Sequence, residues 1–494
     1  MSAVFEKYKP LRNLIRNIEF EESLFICWYF TNYLLFDRPL PANIEFDKKV
    51  KNSTDKMVFK FFVAAEWDIE FLVQEIILES PGKIFEKKKS LAELVYRNRI
   101  INQIRVLQDF SIANKLTNEN IFLELNRISH RQFVWQNHQN LSLFYRYYKI
   151  FSYGKLAALI EKAIGFTPYN LFLIGLAFTS YFTEYFTIPY PPVKNINFID
   201  KNLQKSFIDY YSLNLKEMKE MVSLNRAYDD TLFYNFDPLR RYPLLNFEEK
   251  ILCPIPVLLY WQITSGTYYA ICAEKDFDND FGYAFQVYVE SVVNKVNKNF
   301  TIYPEAKYGE SEKRTSDLIF TDDKAMVFIE CKTKRMVMGT RTNIDYSIDH
   351  EKDIEKLADG LTQFYKTIEE YKSNKYPNIK YDNAKTIYPL LITLEDWFIN
   401  YNEQLITALN DKLKMNFTNE NLDAELLKSQ PYHIRSCEEF EEDIQVMSTF
   451  GIQNYFDKYK NEKGRDAFKN FMFQPIFSDE CKQTFQLKEN VVIK

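Results

Sequence analysis

The stretch RTSDLIFTDDKAMVFIECKTKR, residues 314–335, decides how the rest of the chain is read. Two apolar runs, SDLIF (316–320) and AMVFIECKTK (325–334), lie on either side of the polar pair Asp322-Asp323. Short runs rich in Ile, Val and Phe, separated by turn formers, are strand signals. Side chains alternate faces along a strand, so Glu330 and Lys332 point the same way. With Asp322-Asp323 as a two-residue hairpin turn, Thr321 faces Lys324 and Asp317 faces Phe328. That register sets Asp317 diagonal to Glu330 on one face. Two carboxylates and a lysine then converge.

Working outward, a helix is predicted at 282–298 (GYAFQVYVESVVNKVNK), followed by an extended segment at 300–306 (FTIYPEA). After the hairpin come a helix at 351–373 and another apolar extended run, IYPLLITL (387–394). Helix, three strands, helix, strand implies an α/β sandwich around a small mixed sheet, over residues 246–400. Residues 401–494 return to a helical pattern and read as an extension packed on that core, with Ser436 and Glu439 forming a capping box.

Residues 1–245 read as a large all-α domain. DKMVFKFFVAAEWDIEFLVQEIIL (55–78) and SLAELVYRNRIINQIRVLQDF (90–110) repeat at helical period. Thr117, and Thr167 before Pro168, are predicted helix starts. YNLFLIGLAFTSYF (169–182) is too short for a bilayer span and fits a buried helix. Helical patterning pauses at PYPPV (189–193) and resumes near Lys201. The proline-bearing stretch FDPLRRYPLLNFEEKILCPIPVLLYWQIT (236–264) lacks a long amphipathic repeat, and the domain boundary is placed there.

Composition bounds the chemistry. A chain of 494 residues implies two or three domains, and 11 glycines against 34 Tyr and 43 Phe favour aromatic-packed helices over a Gly-rich phosphate-cradling loop. The six cysteines form no CxxC pair and the N-terminus MSAVFEKYKP has no signal-peptide character, which points to a reducing cytoplasm. Four histidines without an HExxH argue against zinc and triad chemistry, leaving carboxylates and lysines. A net charge of −5 places any nucleic-acid contact on a local basic lining. No GxxxxGK[ST] occurs, so the chain carries no ATP-driven translocation of its own.

Carboxylate oxygens and waters are what hard Mg²⁺ prefers, and such an ion polarises phosphoryl oxygens and activates water. The backbone carbonyl of Cys331 offers one more oxygen; its thiol reads as packing on the opposite face. Glu-x-Lys also occurs at Glu86/Lys88, Glu217/Lys219, Glu248/Lys250 and Glu370/Lys372, in stretches read as helices or polar linkers. Among these, Glu330/Lys332 alone ends an apolar strand preceded by an Asp at hairpin distance.

The SDLIF…FIECKTK pattern resembles the PD-(D/E)xK phosphodiesterase superfamily over about residues 270–400. The resemblance implies a restriction-endonuclease-like core with Asp317 and Glu330 as metal-binding acids and Lys332 as the catalytic lysine. It also implies an acid on the preceding helix, where Glu290 is suitably placed and Gln286 lies one turn earlier, and a glutamine on the following helix, Gln363. Ser316 stands where the superfamily name has Pro. The implied activity is Mg²⁺-dependent (Mn²⁺ as substitute) endonucleolytic hydrolysis of nucleic acid, DNA more than RNA. The helical N-terminal domain would recognise substrate, bind a partner or a second copy, or restrain the nuclease. Lys313, Arg314, Lys334 and Arg335 are candidate phosphate contacts, against the alternative of a solvated strand end. His350 reads as a cap or surface residue, and Trp28, Trp67 and Trp135 as core. A nuclease joined to a large helical domain is similar in arrangement to anti-phage and restriction-like effectors. The competing readings are a silent nuclease-fold binding or scaffold protein, against which the intact Asp, Glu and Lys set counts, and an RNA- or junction-specific enzyme.

Overall fold

The computed structural model describes residues 2–80, 89–113, 115–136, 141–193, 199–399, 402–459 and 472–487. Contacts gather these into two units, one built mainly from Met1–Asn140 and Ala158–Ile271, the other from Leu141–Ala157 and Cys272–Val491. The boundary therefore lies at 271/272 and not at 245. Pro238 and Pro256 stand in the first turn of short helices, Pro238–Arg240 and Pro256–Ile263, where the missing N–H costs nothing. Two of the four prolines that suggest a linker are thus helix starts. The helix Pro256–Ile263 belongs to the first unit, where a Cβ on Gly175 would come within 2.4 Å of Ile263.

The first unit is mostly helical, but not all-α. Four short strands form a mixed sheet in the order Thr187–Pro189, Lys250–Leu252, Leu244–Phe247, Ser212–Asn214. The apolar helix Pro168–Glu184 starts as the sequence implies, with the Thr167 hydroxyl accepting from the Asn170 N–H at 3.3 Å. Its residue Phe182 gives a carbonyl to the buried Trp28 indole at 2.6 Å. Thr117 acts one turn earlier than expected: it accepts from Glu119 and Asn120, and the helix begins at Ile121. Among the described residues no single helix is long and apolar enough to cross a membrane.

The second unit is α/β. Its strands are β1 (Thr301–Pro304), β2 (Leu318–Thr321), β3 (Ala325–Lys332), β4 (Thr386–Thr393) and β5 (His433–Ser436), in the order β5-β4-β3-β2-β1. The β1/β2 and β2/β3 pairs are antiparallel; β3/β4 and β4/β5 are parallel. β3 and β4 are buried along most of their lengths, as central strands covered on both faces should be. The principal helices are α1 (Leu141–Phe151), α2 (Phe277–Val296), α3 (Ile348–Lys372), α4 (Glu403–Asn419) and α5 (Cys437–Phe450).

Two parts of this unit were read differently from sequence. The stretch beyond residue 400 supplies β5, so it completes the sheet instead of only packing on it. The capping box there forms as expected: Ser436 Oγ accepts from the Glu439 N–H and Glu439 accepts from the Ser436 N–H. Helix α1 belongs to this unit and not to the N-terminal domain. Arg146 on α1 lies 2.7 Å from Glu441 on α5, and Tyr288 on α2 donates to the same carboxylate at 2.8 Å. A buried guanidinium must find a carboxylate, and its partner lies far along the chain.

Candidate active site

The hairpin turn is longer than two residues. Asp322 Oδ1 accepts the N–H groups of Lys324 and Ala325 at 2.9 Å each, and Asp322 donates its own N–H to the Ala325 carbonyl. This side-chain turn closes the loop so that Thr321 pairs with Met326 and Leu318 with Ile329. The register is shifted by two residues from that expected. An even shift keeps each side chain on its face. One step beyond the last pair, Asp317 comes directly opposite Glu330 instead of diagonal to it. Its Oδ2 accepts the Cys331 N–H at 2.7 Å, which fixes the carboxylate against the end of β3.

Helix α3 covers this face of the sheet. Phe328 packs its ring 5.1 Å from that of Tyr371. Four residues further along the strand, the Lys332 stem lies across Gly360, where a Cβ would sit 3.1 Å from Lys332 Cε. Lys332 Nζ is 3.5 Å from Glu330 Oε2. The side chains are 37% and 15% exposed respectively, so the lysine reaches solvent while the acid remains mostly covered.

The electrostatics follow from that packing. Burial raises Asp317 to about 6, opposed by the Cys331 N–H and Lys332. Glu330 is raised to about 8, first by burial and then by the charge of Asp317; Lys332 offsets part of this. Two acids repel each other with one lysine to share. Glu305, just past β1, adds to the repulsion on both. Cys331 is no nucleophile: burial and the neighbouring acids push its thiol well up.

The remaining expected residues divide. Glu290 is half-buried on α2, and its charge is felt at Tyr153. The residue that α2 presents to the site is Gln286, whose Nε2 donates to the Asp317 carbonyl at 3.2 Å. Gln363 is exposed, one turn beyond Gly360 on α3. Ser316 is buried and gives its N–H to the Tyr376 phenol at 3.3 Å, a bond that proline at this position would lack. His350 is a buried cap, its Nδ1 accepting from the Ser347 N–H at 3.1 Å.

The basic candidates also separate. Lys313 is 2.6 Å from Glu370, and Arg314 is 3.2 Å from Glu305. Lys334 is exposed, and burial of its stem together with the nearby Lys356 holds its amine below the usual range. Arg335 does not reach solvent as a phosphate contact would. It is buried against Glu395 at 3.0 Å, with Tyr147 beside it. From sequence it reads as a strand end; the strand stops at Lys332, and Arg335 beyond it is buried.

The other Glu-x-Lys triplets behave as surface charge or caps. Glu217 caps Asn214, Lys250 pairs with Glu21, and Lys372 pairs with Glu369. Glu86/Lys88 lies outside the described residues. A further triplet, Glu480-Cys481-Lys482, is on the helix Ser478–Thr484, where Glu480 pairs with Lys295.

Glu305 and Gly360 are the site residues that the sequence does not single out; Gln286 it offers only as the alternative to Glu290 for the helical acid. Glu305 ends an extended run, but its place depends on β1 pairing with β2, which no local signal fixes. A cavity of about 550 Å³, lined by Phe25, Trp28, Arg38, Glu184 and Tyr185 among others, lies in the first unit and includes none of these residues. Among the described residues no three His, Cys, Asp or Glu side chains form a ready-made metal cage. The oxygen donors at the sheet end are two facing carboxylates, enough for a cation that keeps waters and shares a substrate phosphate, and too few for a closed structural site. Compared with family models, curated proteins and solved structures, the chain matches none.

Proposed function

We propose that the chain is a metal-dependent nuclease, a phosphodiesterase of restriction-endonuclease-like core that hydrolyses nucleic acid, DNA in preference to RNA. The observation that carries this is the facing of Asp317 and Glu330 at the polar end of two apolar strands, with Lys332 beside them and the two acids unbalanced. An all-oxygen pair with raised affinity for protons is equally a pair in want of a cation. Asp317 and Glu330, with the Cys331 carbonyl, would hold Mg²⁺ or Mn²⁺. When bound, the ion supplies Lewis acidity to a phosphoryl oxygen and to water.

The chain's own residues do the rest. The Cys331 N–H occupies one oxygen of Asp317 and so aims the other. Lys332, braced on Gly360, presents its amine beside Glu330, where it orients an attacking water or meets charge developing on the phosphate. Lys334 is exposed and is the remaining candidate for a phosphate contact near the strand end. The order of strands and helices in the second unit supports the nuclease-like core, and the scattered cysteines support a reducing cytoplasm as its location. The helical first unit would then recognise substrate, oligomerise or restrain the site, as in defence effectors of similar arrangement.

The test is a cleavage panel of duplex DNA, single strands and RNA with Mg²⁺, Mn²⁺ or chelator. Lys332→Ala is expected to lower the rate by about 10²–10³-fold with little change in melting temperature. Equal rates in the variant, or cleavage that persists in chelator, would overturn the assignment. If RNA is cut and DNA is not, the substrate preference is wrong and the site is not.

A further inference from the structure

Pairing of β1 with β2 matches Pro304 to Leu318, and pairing of β2 with β3 matches Leu318 to Ile329. The next row along is Glu305, Asp317, Glu330. Residues in one row share a face of a sheet. Glu305 is therefore the cross-strand neighbour of Asp317 on the side away from Glu330, at the edge of the site. It is tied there by backbone bonds one residue on, where Thr315 donates its N–H to the Ala306 carbonyl and Ala306 donates to Thr315 Oγ1, both at 2.9 Å.

The partner of Glu305 is Arg314, whose Nη1 lies 3.2 and 3.4 Å from its two carboxylate oxygens. The two side chains differ in freedom: Arg314 is 61% exposed and Glu305 18%. The acid is fixed by the sheet and the guanidinium is reachable from solvent. A guanidinium in that position presents its remaining N–H donors outward, and a phosphate is a better partner for its planar fork than a carboxylate already shared with a row of acids.

Resting on the nuclease reading above, we infer that Arg314 is an exchangeable phosphate ligand: Glu305 holds it at the site edge until a phosphate of the nucleic-acid substrate takes it over. Glu305 is then a positioning residue that competes with substrate for Arg314. The exchange has a second consequence. Once Arg314 turns to phosphate, Glu305 faces Asp317 and Glu330 without its counter-charge, so substrate binding increases the pull of the row on a cation. Nucleic acid and divalent ion would thus favour each other's binding, reciprocally.

The sign of one substitution separates this from a merely structural ion pair. The measurement is fluorescence anisotropy of a labelled duplex with the full chain in chelator at fixed salt. Arg314→Gln should weaken binding by about tenfold, the effect of one charge-assisted contact. Glu305→Gln should tighten it by about three- to tenfold, because the competitor is gone. The double variant should bind like Arg314→Gln alone. The pair stands at the edge of the site with the Arg314 side chain largely in solvent, so both variants should fold, as circular dichroism will check.

If Glu305→Gln weakens binding, the pair only scaffolds the loop and the inference is wrong. If the gain survives in the double variant, it reflects net charge and not Arg314, and the inference is equally overturned. Titration of Mn²⁺ alone and with a phosphorothioate duplex should show tighter ion binding with the duplex in the wild type, and lose that gain in Arg314→Gln. Cleavage by the wild type with none of these shifts would refute the exchange and leave the nuclease reading standing. No cleavage and no binding of any nucleic acid would refute both.

Discussion

Glu395 and Glu330 are carboxylates at the same end of neighbouring strands, β4 and β3, yet the fold treats them in opposite ways. Glu395 has Arg335 at 3.0 Å, Arg341 at 3.5 Å and a hydrogen bond from the Tyr147 phenol at 3.2 Å. Burial alone would raise its pKa, but the two guanidiniums override that and hold it below the ordinary range. Glu330 has one lysine at 3.5 Å and another acid opposite, and it is raised to about 8. Glu441 likewise has a guanidinium, Arg146 at 2.7 Å, and a phenol, Tyr288 at 2.8 Å, as its donors. An acid with its full set of donors is a structural fixture. An acid left short of them is poised to take something else, and perturbed groups of this kind concentrate at functional sites.

The comparison can be broken most sharply on its paired side. Arg146→Met leaves Glu441 buried without its counter-charge and should cost about 3–5 kcal/mol of stability in urea denaturation. A loss near zero would mean that the Tyr288 phenol and the Cys437 thiol, which lies 3.7 Å from the Glu441 carboxylate, suffice, and that full pairing is not what marks the structural acids.

On the unpaired side the sign reverses. Glu330 ordinarily titrates at 4.5 and is raised to about 8 in the fold, so the folded protein keeps a proton that the unfolded chain releases between those values. Stability of the metal-free protein should therefore fall as pH rises through that window, the deficit being complete above about 8. Glu330→Gln lacks this titration. Its advantage over the wild type should grow between about pH 5 and about pH 9 to about 1–2 kcal/mol. Melting curves that run parallel across that range would show Glu330 to be as well satisfied as Glu395.

The smallest effect is expected at the lysine that mediates between the acids and α3. Gly360→Ala should strengthen the helix by up to about 1 kcal/mol, while its new Cβ displaces Lys332 Cε from a 3.1 Å position. Thermal melting should rise while Mg²⁺-dependent cleavage falls. An unchanged cleavage rate would mean that Gly360 does not brace the lysine.

Much of the second unit was legible in the sequence because its signals are local. The short apolar runs in SDLIF and AMVFIECK, parted by turn formers, mark two strands, and the Ser436–Glu439 box marks the start of α5, since each depends on residues a few positions apart. What was misread depends on distant partners. Gln286 rather than Glu290 faces Asp317 because the rotation of α2 is set by what it packs on. The prolines of 236–264 look like a linker until their neighbours in space are known.

By itself, then, the sequence determined that Glu330 and Lys332 share a face and that an Asp lies within hairpin reach, because side-chain alternation is a property of the single strand. Tertiary structure decided the rest: a four-residue turn built by Asp322 that brings Asp317 squarely opposite Glu330, a third acid at Glu305, and the burial of Arg335 against Glu395. Register, rows across a sheet and the choice of ion-pair partner are relations between strands, and only packing fixes them.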